Sequence, residues 1–287
     1  LFVKMDVLCC IDLDTILPVW LAGKLRKTKR VYDAHEYFSQ QKEIITRPKV
    51  HLVWKWIEKT FTPKFKIGYT VSHGIAAALK KKYQVDYDVI RNVPLLTELN
   101  TELQKQGKLI LYQGAVNEAR GLEFLIPAMQ EIDAALHIYG DGNFMKQVKK
   151  LIAANNLQDK VLVKGKVLPE QLNEITQAAH IGINLVENTG LNQYYSLANK
   201  FFDYIQNGIP QISMDFPEYK KINDEFEVAV LLENLDSGSI KDSIDKLLND
   251  ENLHKKLRQN CLLARQQFNW QQEEKKLIAF YNNIVSS

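Results

Sequence analysis

Short apolar runs alternate with longer stretches whose apolar residues recur at helical spacing along almost all of this chain. Residues 6–11 read as a strand and 16–27 as an amphipathic helix. A short strand follows at 30–33, then a helical region at 50–59 carrying Trp54 and Trp56. Residues 66–71 predict a strand, 74–83 a helix and 88–91 another strand. The pattern then restarts, with strands at 108–112, 135–139, 161–163, 181–186, 210–213 and 227–232. Helices at 122–131, 144–155, 169–178 and 197–206 separate the earlier of these strands, and from Ser239 onward the chain is mostly helical. A strand–helix–strand rhythm implies parallel pairing through helical crossovers. Sheets of that kind place ligands at the C-terminal ends of their strands.

Between the two blocks, residues 94–107 are polar and lack a strong period, which marks a linker. The chain therefore reads as a first domain over 1–95, a linker at 96–107, a second domain over 108–270 and a last helix at 271–287. Its 287 residues, 46% hydrophobic and 25% charged, fit a packed globular protein and exclude a disordered one. The net charge of +3 gives no overall field that would demand nucleic acid as a partner. No apolar stretch approaches the ~18 residues of a membrane span. Cys9, Cys10 and Cys261 are odd in number and lack metal-ligand spacing, and Cys9 and Cys10 sit in an apolar run. We expect buried thiols and a cytoplasmic location.

Three features fall where an α/β sheet would bind a ligand. Tyr112-Gln-Gly114 is followed by Glu118-Ala-Arg-Gly121 and a helix. A glycine past a strand lets a ligand approach the backbone, and a helix start supplies N–H donors for an anion. Arg120 adds a planar charge suited to phosphate, although a plain βα turn with a surface arginine would look the same. Ser196-Leu-Ala-Asn-Lys-Phe-Phe-Asp203 places Ser196 and Asn199 in the expected opening turn of a helix. Lys200 and Asp203, three apart, share one face. Lys200 could neutralise phosphate and Asp203 accept from ribose hydroxyls, or the two could form an idle ion pair. The turns Gly140-Asp-Gly142 and Lys164-Gly-Lys166 end two strands and are weaker signals.

Taken in order, these residues resemble the retaining nucleotide-sugar glycosyltransferases of the GT-B fold, family 4. The resemblance runs through Tyr112-x-Gly114, Arg120-Gly-Leu-Glu, Ile138-Tyr-Gly-Asp-Gly142 and Val163-x-Gly-x-Val167. It continues through Ala179-x-Ile-Gly-Ile183, Ser196-x-x-Asn-Lys-x-Phe-Asp-Tyr204, Gly208-Ile-Pro210 and Asn269-Trp-x-x-Glu273. It implies two Rossmann-like α/β domains and a nucleoside diphosphate sugar as donor. Gly114, Arg120, Ser196, Asn199 and Lys200 would lie at the donor diphosphate, Asp203 at the ribose, and the backbone of Val167 and Leu168 at the base. Val71-Ser72 and Arg91-Asn92-x-Pro94 match segments that close the first domain. His35, in Tyr32-Asp-Ala-His-Glu36, matches a histidine that touches the transferred sugar. His35, Arg120 and Lys200 are thus the expected catalytic groups, with no metal or other cofactor. The last helix is expected to cross back to the first domain.

This chain also departs from the family pattern. Two glutamates eight apart are replaced by Tyr195 and Asp203, and a basic residue after the first glycine is replaced by Ala115. Tyr195 enters the expected donor site on that ground, with Asn192 or Tyr194 as further candidates for the sugar. The chain starts at Leu1 and lacks the family's opening strands and glycine-rich loop, so we expect an incomplete first domain. The expected activity is glycosyl transfer with retention to a glycan or lipid-linked acceptor, in cell-surface polysaccharide or glycoconjugate synthesis. A sugar-nucleotide epimerase of the same fold and a non-catalytic nucleotide-sugar-binding fragment remain open alternatives. The basic cluster Lys24-Leu-Arg-Lys-Thr-Lys-Arg30, with Lys80-Lys-Lys82, fits either a peripheral contact with anionic lipid or a solvated helix end.

Overall fold

The structure, a computed structural model, describes residues 4–100 and 107–286. Residues 101–106, in the second half of the expected linker, lie outside the described residues. The first stretch runs β1 (Val7–Ile11), α1 (Ile16–Arg26), β2 (Lys29–Ala34), α2 (Lys42–Ile45) and α3 (Pro48–Phe61). It continues with β3 (Ile67–Thr70), α4 (His73–Tyr83) and β4 (Asp88–Val89). The second opens with β5 (Leu109–Gln113), α5 (Leu122–Ala128), β6 (Ala135–Tyr139), α6 (Met145–Ala154), β7 (Val161–Gly165), α7 (Pro169–Ala178) and β8 (Ile181–Asn184). Next come α8 (Leu191–Tyr194), α9 (Asn199–Gln206), β9 (Gln211–Met214), α10 (Pro217–Phe226) and β10 (Ala229–Leu232). The chain ends in α11 (Ser237–Asn249), α12 (Glu251–Ala264) and α13 (Trp270–Ser286).

Two compact units result. One gathers Leu1–Asn92, Asn188–Leu197 and Gln271–Ser287, and the other Val93–Glu187 and Ala198–Trp270. The first holds a four-stranded sheet in the order β1-β2-β3-β4, parallel throughout. Successive side chains of a strand point to opposite faces, and β2 buries both. Tyr32 and Ala34 pack with Cys10, Ile16, Phe65 and Leu79. Val31 joins Tyr69 and Ile90 against Ile284, Leu277 and Phe280 of α13. Glu273, at the start of α13, is almost fully buried. It accepts from the Arg91 N–H at 3.0 Å and pairs with its guanidinium at 3.6 Å.

The second unit holds six parallel strands in the order β10-β9-β8-β5-β6-β7. Helices cover both faces of such a sheet, so its strands are apolar along their length, and all five residues of β5 are buried. Tyr204 of α9 is fully buried and donates to the carbonyl oxygens of Leu111 at 3.0 Å and Ile183 at 3.3 Å. Its ring occupies the space a side chain at Gly182 would need, which fixes glycine in β8. Proline opens α3, α7 and α10, where a missing N–H costs nothing. Asp236 and Asp250 cap α11 and α12 by accepting from Ser239 and Leu253, each at 2.9 Å.

Several expected boundaries move. The helix expected at 197–206 begins only at Asn199, because Ala198 is its extended N-cap residue. The helix expected at 122–131 stops at Ala128, just past the internal Pro127. Helix α10 was not expected: it buries only Glu218, Tyr219 and Ile222, too few apolar positions to set a period. The one-turn helices α2 and α8 are too short to leave any period at all.

The C-terminal ends of β5, β6 and β7 converge on three glycines with positive φ, Gly114, Gly140 and Gly165. The Gly114 N–H donates to Tyr139 O at 2.9 Å, and the Gly140 N–H to Gly165 O at 2.8 Å. A methyl group on Gly140 would overlap the Gly114 carbonyl oxygen, whereas one on Gly165 would meet nothing within 4 Å. Gly140→Ala should therefore cost about 2–4 kcal/mol of stability, a left-handed conformation plus overpacking, and Gly165→Ala only about 1–2 kcal/mol. Urea unfolding of the two variants checks this, and equal midpoints would contradict the close approach at Gly140.

Candidate functional site

In the second unit, strand order reverses at β5, with β6 and β7 on one side and β8 on the other. Crevices at such switch points hold ligands, and Gly114 lies at the end of β5, exposed and at φ +114°. A methyl group there would sit 3.5 Å from Cε and 3.8 Å from Nζ of Lys200. The glycine thus leaves open the approach to the lysine's end. The two loops after β5 and β6 brace each other. Val116 N–H donates to Asp141 O at 3.0 Å, Asn143 N–H to Asn117 Oδ1 at 3.1 Å, and Glu118 N–H to Asn143 Oδ1 at 3.1 Å. The first loop then turns through Ala119 and Gly121, both at positive φ, with Arg120 between them.

Lys200 Nζ is buried without a hydrogen-bond partner and lies 3.7 Å from the centre of the Tyr112 ring. Burial pushes its pKa well below the ordinary lysine value. The neighbouring Arg120 charge pushes the same way, and Asp203 opposes them. An ammonium set against a ring face gains a cation–π attraction, but that does not replace lost water or an anion. Lys200 and Asp203 do share the face of α9, yet they form no ion pair within 4.0 Å among the described residues. Asp203 instead accepts from Gln113 Nε2 at 3.0 Å, and Gln113 Oε1 accepts from Thr176 Oγ1 at 2.8 Å. Burial raises the Asp203 pKa to about 6, with the Gln113 hydrogen bond and the Lys200 charge limiting the rise. Gln113 and Thr176 were not among the expected site residues. The only sequence signal for them was a polar residue closing an apolar strand and a threonine late in α7.

Asn199 is the exposed first residue of α9. Val167 and Leu168 follow β7. Leu168 N–H donates to Gln171 Oε1 at 3.3 Å and its carbonyl starts α7, so the backbone groups of Leu168 are already engaged. Gly114, Arg120, Val167, Leu168, Asn199, Lys200 and Asp203 all belong to the second unit.

His35, Tyr195 and Ser196 belong to the first. His35 follows β2, and its Nε2 lies 3.0 Å from Asp33 Oδ2, which also accepts from Tyr69 OH at 2.9 Å. The hydrogen bond to Asp33 raises the His35 pKa against the opposing effect of burial. Asp12, at positive φ after β1, accepts from Glu36 N–H at 3.2 Å, and burial lifts its pKa to about 6. Asp33, Tyr69 and Asp12 were missed because nothing in their local spacing points to chemistry. The segment Asn188–Leu197 is tied to the same end of the sheet. Asn192 Oδ1 accepts from Tyr37 N–H at 2.8 Å, and its amide nitrogen reaches Glu36 Oε2 at 3.4 Å. The Tyr195 ring lies where a side chain on Gly74 would be and packs on the first unit's core. Ser196 does not open α9, contrary to expectation. Its hydroxyl donates to Gln193 O at 2.8 Å in a turn three residues upstream.

Two parallel sheets with a switch-point glycine define an α/β protein of the GT-B type, and solved structures share that fold. Sucrose-phosphate synthase from Thermosynechococcus elongatus superposes with a TM-score of 0.78 at 18% identity, covering 98% of this chain and 74% of its own. Anabaena HepE, solved in complex with UDP and glucose, gives 0.78 at 12% identity, covering 96% and 77%. The family model for glycosyl transferases group 1 matches residues 99–262, more than half of the chain. This chain belongs to that family. The alpha-D-kanosaminyltransferase of Streptomyces kanamyceticus is 20% identical over 246 residues, or 78% of this chain. The chain spans 62% of that relative's length.

A buried cation without an acceptor costs about 1–3 kcal/mol. Lys200→Met should therefore raise the stability of the ligand-free protein by roughly that amount at neutral pH. The unfolded lysine keeps its proton to higher pH than the folded one, so wild-type stability rises with pH between the lowered and ordinary values. The variant lacks that slope. Denaturant midpoints at several pH values measure both effects, and a destabilised variant would contradict the unpaired state of Lys200.

Proposed function

We propose that this protein is a retaining glycosyltransferase that moves a sugar from a nucleoside diphosphate sugar to an acceptor hydroxyl. The observation that carries this reading is the Lys200 ammonium, buried without an acceptor beside Arg120 and Gly114 at the switch point. A diphosphate supplies the missing anion. As the bond from the anomeric carbon to the diphosphate breaks, negative charge grows on the leaving oxygen. Donors aimed at that charge lower the barrier more than they stabilise bound donor. Lys200, Arg120 and the first N–H groups of α9 fill this role. Asp203, held by Gln113 and Thr176, accepts from the ribose hydroxyls, and the backbone at Val167 meets the base.

His35, oriented by Asp33, handles the transferred sugar. The acceptor is a glycan or a lipid-linked saccharide in cell-surface polysaccharide or glycoconjugate synthesis on the cytoplasmic side. No helix among the described residues is long and apolar enough to cross a membrane, and the proposed membrane association is peripheral. The solved complex of Anabaena HepE with UDP and glucose supports a nucleotide-sugar donor.

Calorimetric titration with UDP, GDP, ADP and dTDP should find selective binding of one, retained in EDTA because protein cations carry the phosphate charge. Lys200→Ala should weaken that binding by roughly 1.5–3 kcal/mol, the range for a charge-assisted contact. Asp203→Asn should cost ribonucleotides far more than their 2′,3′-dideoxy analogues. NMR of the product from the matching sugar nucleotide should show the donor's anomeric configuration. Binding of no nucleotide, or an inverted product, would overturn the proposal.

A further inference from the structure

We infer that Tyr69 and Asp33 are positioning residues for His35, holding it with Nε2–H turned inward and Nδ1 left free for a sugar hydroxyl, and that Tyr281 makes α13 the outer support of this chain of contacts. The inference rests on the proposed function only for the identity of the ligand. The state of the imidazole is read without any substrate, so its failure and that of the proposed reaction are separate results.

Alternation along β2 puts Val31 and Asp33 on one face, with His35 two residues further on, just past the end of the strand. That face is the one α13 covers: Val31 and Tyr69 pack there with Leu277, Phe280 and Tyr281. Asp33 stands in register beside Tyr69 of β3 and is only 6% exposed. A carboxylate in such a place costs free energy that an apolar residue of similar size would not. Only one of its oxygens is compensated. Oδ1 is buried without a hydrogen bond, whereas Oδ2 meets both His35 Nε2 at 3.0 Å and Tyr69 OH at 2.9 Å. Packing does not explain this acid, and what it holds is the imidazole.

Counting protons fixes the directions. An ionised carboxylate only accepts, so His35 Nε2 carries a hydrogen and the Tyr69 hydroxyl donates. Burial pushes the Tyr69 pKa far above the ordinary tyrosine value, so this hydroxyl keeps its proton across the neutral range. With that single proton given to Asp33, the Tyr69 oxygen is left to accept from Tyr281, its hydrogen-bonding neighbour on α13. The two rings lie 6.4 Å apart between centres, and Phe280 packs on Tyr69 at 5.1 Å. At the other end, His35 is half-exposed and its Nδ1 has no hydrogen-bond partner among the described residues. Nδ1 accepts when the ring is neutral and donates when it is charged. A sugar hydroxyl can do either, so it suits this nitrogen on both sides of the titration. The charged groups facing His35 are Asp33, Asp12 after β1 and Glu36 next in the chain. All three raise its pKa, the hydrogen bond to Asp33 most, and burial opposes them.

NMR of the full chain with 15N-labelled histidine tests this, with His35→Gln to assign the signal among six histidines. At high pH the neutral ring should be in the Nε2–H form, and its midpoint should lie above the ordinary histidine value. Asp33→Asn should remove the preference for that form and lower the midpoint by about one to two pH units, because an adjacent opposite charge is lost. Tyr69→Phe keeps the ring and removes the donor. The Asp33 charge then acts on His35 alone, so the midpoint should rise further while the Nε2–H form persists. Tyr281→Phe, which weakens Tyr69 as a donor, should move it the same way by less. Unchanged thermal midpoints and unmoved signals from the other histidines will show that the variants fold. In the transfer assay the pH profile of kcat/KM should move with the His35 midpoint in Tyr69→Phe. A wild-type ring in the Nδ1–H form, a midpoint that neither Asp33→Asn nor Tyr69→Phe moves, or a pH profile that stays in place would overturn the proposal.

Discussion

The second unit is organised around the cost of keeping one lysine nitrogen out of water. Lys200 Nζ has the face of Tyr112 on one side, Arg120 as a like charge nearby and no acceptor. A fold does not hold a cation this way for stability, since a methionine would fill the space at lower cost. Under the proposed function the arrangement is an anion site prepared in advance, in which desolvation has been met before a ligand arrives. Gly114 belongs to the same logic, because a side chain there would lie against the end of Lys200. Gly140 belongs to it one step further out, because it lets two strand ends come close enough to set the loop that carries Arg120.

The neighbouring carboxylate shows the opposite treatment. Asp203 lies one helical turn from Lys200 but is held by Gln113, itself held by Thr176. A direct Lys200–Asp203 pair would have satisfied both charges and left nothing for a ligand. Tying the carboxylate to a neutral amide keeps both groups available and fixes the direction in which Asp203 can accept. In the first unit, the Asp33 carboxylate similarly spends one oxygen on His35 and Tyr69, which orients the imidazole through its Nε2. Segment Asn188–Leu197 follows β8 of the second unit in sequence yet is bonded to Tyr37 and Glu36, next to that histidine.

Much of this was legible in the sequence, because parallel sheets buried on both faces leave continuous apolar runs between helical periods. The strands, their parallel pairing and the positions of Gly114, Arg120, Lys200 and Asp203 on them followed from those runs and from motif spacing; the order of strands in each sheet did not. Two distant motifs also explain each other: Arg91 and Glu273 meet in one ion pair, and Pro94 O accepts from Trp270 N–H. Helix α10 escaped because its buried face is too narrow to set a period, and the start of α9 because Ser196 caps a turn instead of the helix. Gln113, Thr176, Asp33 and Tyr69 escaped for a different reason. Each acts through a hydrogen bond to a residue that only the tertiary fold brings near, apart from the Asp33–His35 step.

The central claim is that Lys200 awaits an anion, and its side-chain nitrogen reports this directly. With 15N-labelled lysine and Lys200→Met for assignment, NMR should find one ammonium titrating well below the others in the free protein. Adding the nucleoside diphosphate that binds should move that titration upward, because a bound phosphate favours the charged form. A Lys200 that titrates with the surface lysines, or one whose titration the nucleotide leaves unmoved, would contradict the account.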